Sequence, residues 1–184
     1  SWCEHQARTI PSLFQSQAET LGDSTLYLVK REGTYQPVSW QTVRRDVETL
    51  AAALIARGVQ PGDRVAILSE NRYEWVVADL AILHAGAASV TLHFPLTPEQ
   101  VEEQLRDSES CAIFVSTAQQ AQKVDAIRDR LPALKHYFSF DAVSGWTPIA
   151  QLQHEGEQRL RDKPTLVRET AELNHWDSLA TLIY

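Results

Sequence analysis

The sequence predicts an α/β fold: a mainly parallel sheet with helices on both faces, accompanied by a β-hairpin. Three observations lead there. Apolar runs at Val65-Ala66-Ile67-Leu68 and Cys111-Ala112-Ile113-Phe114-Val115 lack polar alternation, as strands buried on both faces do, and a further strand is expected from Ala88 to Leu92. Amphipathic helical segments with recognisable starts and stops separate these runs, which makes βαβ units. Ahead of them, two β-rich runs flank the turn-forming Arg31-Glu32-Gly33-Thr34.

Each element follows in order. Ile10, Leu13, Phe14, Ala18 and Leu21 share one helical face, and Gly22 stops that helix. Residues 25–30 and 35–38 form the hairpin, placed at a sheet edge or in a small sheet of its own. Ser39 caps a helix with the apolar stripe Val43, Val47, Leu50, Ala51 and Leu54, ended by Gly58. Pro61-Gly62-Asp63 turns the chain into a strand over 64–69. Asn71 followed by Glu74 reads as a capping box for a helix carrying Trp75, Val76, Leu80 and Leu83, which Gly86 ends. A strand over 88–92 follows. Thr97-Pro98-Glu99-Gln100 combines a cap, a first-turn Pro and a Gln three residues after the cap. Strands over 111–116 and 136–140 enclose a helix with Val124, Ile127 and Leu131 that ends at Pro132. Thr147-Pro148 starts a helix with Ile149 and Leu152, residues 158–172 are polar without a clear period, and 179–184 form a last apolar strand.

Composition narrows the function. Hydrophobic residues at 43% and charged residues at 22% are ordinary for a globular domain of 184 residues. A net charge of −7 argues against a broad basic surface for nucleic acid, though not against a local phosphate pocket. Cys3 and Cys111 stand far apart, so both are expected as free thiols without metal, in a reducing cytoplasm. No run approaches the ~18 apolar residues of a membrane span, which leaves only peripheral membrane contact open. The start at Ser1 lacks the features of a signal peptide, and both ends read as internal cuts.

No catalytic motif is complete: there is no GxGxxG, GxxxxGK[ST], HExxH or GxSxG. His84 and His93 fall at element ends and read as structural histidines, Glu102 and Glu103 as a solvated helix face, and the five tryptophans as core or interface anchors.

One continuous stretch carries more. Val38-Ser39-Trp40 opens a helix ending in Gly58-Val59, then Pro61-Gly62-Asp63-Arg64-Val65-Ala66-Ile67 follows. This is similar to the first core segment of the acyl-adenylate-forming enzymes. Ser69-Glu70-Asn71-Arg72-Tyr73-Glu74-Trp75 resembles the "NRxEW" helix start of their long-chain acyl-CoA synthetases. Leu83-His84-Ala85-Gly86-Ala87-Ala88 resembles their "LxAGA" turn, and Leu105-Arg106-Asp107-Ser108 the end of the helix after it. Asp177 to Tyr184 resembles the strand just ahead of the Thr/Ser/Gly-rich phosphate loop. Thr91 and His93 depart from the Pro and Tyr common in relatives, which blurs the substrate class.

The resemblance implies the N-terminal part of a luciferase-like large AMP-binding domain over 1–184, with the rest of that domain and a small C-terminal domain missing. It implies an AMP-forming long-chain fatty acid–CoA ligase using ATP with Mg²⁺, then coenzyme A. No catalytic residue carries over; Tyr184 alone sits at the edge of the phosphate-loop motif. On this reading the 184 residues alone are inactive. Another acid, a carrier-protein acceptor or a stand-alone Rossmann-like binding module are the alternatives.

Overall fold

The computed structural model describes residues 9–173. The expected strand over 179–184, with Tyr184, and Cys3 lie outside the described residues.

Helix α1 (Ile10–Leu21) is capped by Thr9, whose hydroxyl accepts from the Ser12 amide at 3.1 Å. It buries Pro11, Phe14 and Ala18. Leu13 does not share that face: it is 45% exposed. The cause is register, because Pro11, Phe14 and Ala18 already define the buried stripe at spacings of three and four. Strands β1 (Thr25–Arg31) and β2 (Thr34–Ser39) pair antiparallel in a separate two-stranded sheet. Glu32 and Gly33 take positive φ of 51° and 78° between them, as a tight hairpin turn requires.

Helix α2 (Trp40–Ala56) starts on Ser39, which accepts from the Thr42 amide at 3.1 Å. Its expected stripe of Val43, Val47, Leu50, Ala51 and Leu54 is fully buried. Gly58, at φ 96°, then turns the chain so that the Val59 amide reaches back to the Leu54 carbonyl at 3.0 Å. Gly86 repeats the device at φ 81°, with the Ala87 amide on the Ile82 carbonyl at 3.1 Å.

The central sheet contains β3 (Arg64–Leu68), β4 (Ala88–Leu92), β5 (Ala112–Val115), β6 (His136–Ser139) and the two-residue β7 (Thr147–Pro148). All its pairings are parallel, in the order β4-β3-β5-β6-β7. The connections are α3 (Tyr73–His84), α4 (Pro98–Ser108) and α5 (Ala118–Asp125); α6 (Ile149–Asp162) and α7 (Leu166–Leu173) close the described chain. Side chains alternate across the sheet. Val65, Ile67, Phe114 and Phe138 join one core with α1, α2, α3, α6 and α7. Ala66, Leu68, Ile113 and Val115 join a second with α4, α5 and Trp146. A fully buried ring such as Phe114 contributes about 1.5–3 kcal/mol.

Two expectations, the capping box at Asn71 and the helix end at Pro132, need correction, and three more gain detail. The Asn71–Glu74 capping box does not form: Arg72 is the N-cap of α3, without a side-chain cap bond. The Glu74 carboxylate instead accepts from the Arg72 guanidinium at 2.8 Å, an ion pair that outcompetes the backbone amide. Helix α3 buries Val77, Ala78, Ala81 and Ile82, while Trp75, Val76 and Leu80 are only half-buried, since it is apolar nearly all round and has no single stripe. The helix expected up to Pro132 ends at Asp125. A 3₁₀ turn over Arg128–Arg130 follows and still buries Ile127 and Leu131. Thr147-Pro148 also forms a short strand, and α6 with Ile149 and Leu152 starts directly from it, with Pro148 as its N-cap. The polar stretch 158–172 completes α6 and adds α7, held by the buried Val167.

Helices α2 and α6 lie side by side. Arg57 donates to both oxygens of Glu155 at 3.0 and 2.8 Å, a bidentate pair joining the two helices.

Candidate functional site

The strand order places the site. From β3 the chain crosses to β4 on one side, then returns over β3 to β5 and continues outward to β6. Successive connections therefore leave β3 and β5 in opposite directions, the topology that in open α/β sheets sets a crevice at the carboxyl ends. In doubly wound sheets of this order that switch point is where ligands bind.

Side chains from several strand ends converge on this rim. Ser116, fully buried just after β5, donates its hydroxyl to the Glu70 carboxylate at 2.8 Å, across the mouth from the loop after β3. Ser69 donates to the Glu70 carbonyl at 2.6 Å and fixes that loop. Arg72 donates to Glu74 at 2.8 Å and to Asp141, beyond β6, at 2.9 Å, and its third nitrogen lies 3.7 Å from Glu70. Its guanidinium carbon lies over the Phe140 ring, 5.5 Å from the ring centre. Burial alone would lower the Arg72 pKa, but the bonds to Glu74 and Asp141 raise it above its ordinary value, so the charge is permanent. Backbone bonds brace the same rim: the Ser116 amide donates to Leu68 at 3.2 Å and the Asp141 amide to Ser116 at 3.1 Å.

The chemistry of this rim is specific in sign. Glu70, Glu74 and Asp141 share one guanidinium, so this side of the crevice is net negative and repels a phosphate. Groups that hold a phosphate must come from elsewhere than these residues. A divalent cation does not suit the described residues either: none of their His, Cys, Asp and Glu side chains form a group of three able to hold a metal, and the rim carboxylates are turned onto Arg72 and Ser116. The expected nucleotide contact, Tyr184, falls outside the described residues and is not placed.

The other residues singled out by sequence lie away from the rim. His84 is buried at the end of α3: Nδ1 donates to the Leu80 carbonyl at 2.6 Å, Nε2 accepts from the Gln15 amide at 3.2 Å, and Phe14 meets the ring edge-on at 5.7 Å. It is a satisfied structural histidine, as read. His93 is exposed after β4, 5.8 Å from the Phe94 ring. Trp40 packs on Phe14, and the buried Trp146 donates to Asp125 at 3.2 Å; both anchor the core. Glu102 and Glu103 lie on the surface of α4, where Arg130 and Arg106 bond Glu102 at 2.8 and 2.9 Å and hold its carboxyl below the usual range. Cys111 is a free thiol 3.7 Å from Asp63, and burial, with that carboxylate, pushes it up to about 11. A separate concavity of about 290 Å³ between α1 and α7, lined by Ser12, Gln15, Glu19 and Arg168 among others, takes nothing from the strand ends.

Sequence reasoning missed the rim. Arg72 stood in the "NRxEW" run, yet nothing local pairs it with Asp141, 69 positions on, or Glu70 with Ser116, 46 positions on. The available signal was Glu70, Arg72 and Glu74 alternating in sign directly after an apolar strand.

Comparison with known proteins agrees with this architecture. The AMP-binding enzyme family matches residues 14–184. The long-chain-fatty-acid–CoA ligase FadD15 of Mycobacterium bovis is 35% identical over 162 residues, covering 88% of this chain and 26% of its own length. A 3-[(3aS,4S,7aS)-7a-methyl-1,5-dioxo-octahydro-1H-inden-4-yl]propanoyl:CoA ligase of Mycobacterium tuberculosis is 38% identical over 133 residues, covering 70% of this chain and 25% of its own. Among solved structures, acetoacetyl-CoA synthetase from Streptomyces lividans superposes with a TM-score of 0.70 at 26% identity, over 79% of this chain and 25% of its own. The chain thus spans about a quarter of the length of the curated relatives it matches.

Proposed function

This chain belongs to the AMP-binding enzyme family, and from that premise we propose that it forms the N-terminal part of the large domain of a long-chain fatty acid–CoA ligase. The observation that carries the substrate class is the 35% identity to FadD15 over 88% of the chain. In the whole enzyme a fatty carboxylate attacks the α-phosphate of ATP, releasing pyrophosphate. The thiol of coenzyme A then displaces AMP from the acyl-adenylate. Charge must be neutralised on phosphate oxygens throughout, by donors fixed before the reaction begins.

The described residues contribute a wall to that site rather than its phosphate contacts. The crevice between β3 and β5 faces the place where a ligand sits in such sheets. Its negative rim directs phosphates away from the β6 side and toward a glycine-rich loop, which on this reading follows Tyr184. Backbone N–H groups of such a loop approach phosphate oxygens without side-chain hindrance. Mg²⁺ would travel with ATP and find its ligands beyond the described residues. Among those residues no helix is long and apolar enough to cross a membrane; the proposed location is the cytoplasm, with peripheral membrane contact open.

A different acid is the second reading, favoured by the propanoyl:CoA ligase relative. A panel of carboxylic acids in an acyl-CoA formation assay on the whole ligase separates the two. Turnover greatest with long-chain fatty acids supports the first; turnover confined to short or cyclic acids replaces it by the second. Acyl transfer to a carrier protein instead of coenzyme A overturns the acceptor assignment.

A further inference from the structure

We infer that Arg72 is a positioning residue whose guanidinium clasps the loops after β3 and β6 and, through Glu70, the end of β5, and so sets the shape of the crevice. Its donors point three ways: to Glu74 in the first turn of α3, to Asp141 beyond β6, and toward Glu70 in its own loop. Glu70 in turn receives the Ser116 hydroxyl from the far side of the crevice. The guanidinium carbon lies 5.5 Å from the ring centre of Phe140, which belongs to the core. A planar, forked, permanently charged group suits this; an ammonium is a compact point charge on a flexible stem and lacks the fixed fork. The side chain is 23% exposed, so the clasp is shielded more than an open surface ion pair. That the crevice takes substrate rests on the proposed function; the clasp itself rests only on these contacts.

Three backbone amides report on the three loops: Trp75, which donates to the Arg72 carbonyl, Ser116, which donates to Leu68, and Asp141, which donates to Ser116. Hydrogen exchange on the 184-residue chain carrying Arg72→Gln is expected to speed all three together, about tenfold, with the β3 and β5 interior amides of Ile67 and Phe114 unchanged. Arg72→Lys keeps the charge and should fail to restore them. Asp141→Asn cuts one arm and should speed Ser116 and Asp141 but not Trp75. Acceleration confined to Trp75, spread equally into Ile67 and Phe114, or fully reversed by lysine would each overturn the clasp. In the whole ligase, Arg72→Gln should raise a substrate KM about tenfold while kcat stays within about twofold. A wild-type ligase without activity would count against the proposed function, while the exchange data would still judge the clasp.

Discussion

Gly156 on α6 lies directly against the backbone of Thr49 on α2. A Cβ placed on Gly156 would stand 1.7 Å from the Thr49 carbonyl oxygen and 2.6 Å from its carbon. The contact is backbone to backbone, so no rotamer change can relieve it. Gly156→Ala must push the helices apart, which also stretches the Arg57–Glu155 pair. The expected cost is about 1–3 kcal/mol, despite the better helix propensity of alanine. Chemical denaturation of the two chains measures it; an unchanged midpoint would contradict the packing described.

The Tyr73 hydroxyl donates to the Asp46 carboxylate at 2.6 Å, where α3 meets α2. Burial raises the Asp46 pKa, and the tyrosine bond works against that rise. Tyr73→Phe should therefore cost about 1.5–3 kcal/mol with the carboxylate ionised. An acid with a raised folded pKa loses stability as pH rises through that value, and removing the donor deepens the loss. The penalty of Tyr73→Phe should thus shrink at acid pH, where Asp46 is protonated. A penalty independent of pH would mean that the bond is not to the ionised group.

His84 gives the opposite slope. Burial holds its pKa below the ordinary 6.5, so below pH 6.5 the unfolded chain takes up a proton that the folded chain refuses. Stability should fall as pH drops through 6.5 toward the folded value. His136 is lowered too and adds to the background. Denaturation midpoints between pH 7.5 and 5 should fall less steeply in His84→Gln than in the parent. Equal slopes would show that His84 is not the proton acceptor.

Cys111 should alkylate slowly in the folded chain at pH 8, because burial raises its thiol to about 11. After denaturation without reductant, both Cys3 and Cys111 should titrate as free thiols. Rapid native labelling of Cys111, or a disulfide detected by mass, would reject this.

The parts of the fold legible in sequence were those whose cause is local. Thr97 and Gln100 satisfy each other's backbone amides within one turn, at 3.2 and 3.0 Å, so the start of α4 needed nothing from the rest of the chain. The strands at Val65 and Ile113 were legible because burial on both faces leaves an uninterrupted apolar run. The start of α3 was not, because Arg72 draws Glu74 into an ion pair that depends on Asp141, far away in sequence. The break after Asp125 was hidden because Ile127 and Leu131 stay buried in the 3₁₀ turn and keep the apolar spacing of a longer helix. The rim at Glu70, Arg72, Ser116 and Asp141 exists only once three strand ends are side by side.

Fatty-acid-dependent ATP–pyrophosphate exchange tests the central claim most directly: that these residues are one wall of an adenylate-forming site whose phosphate contacts lie elsewhere. Losing even one preorganised donor to a developing charge costs about 3–4 kcal/mol, and on this account the phosphate loop that would supply several is not among the described residues. The whole ligase should exchange label with a long-chain fatty acid, and the clean 184-residue chain should show none above background. Exchange by the 184-residue chain alone would contradict the account, by showing that a complete site lies within it.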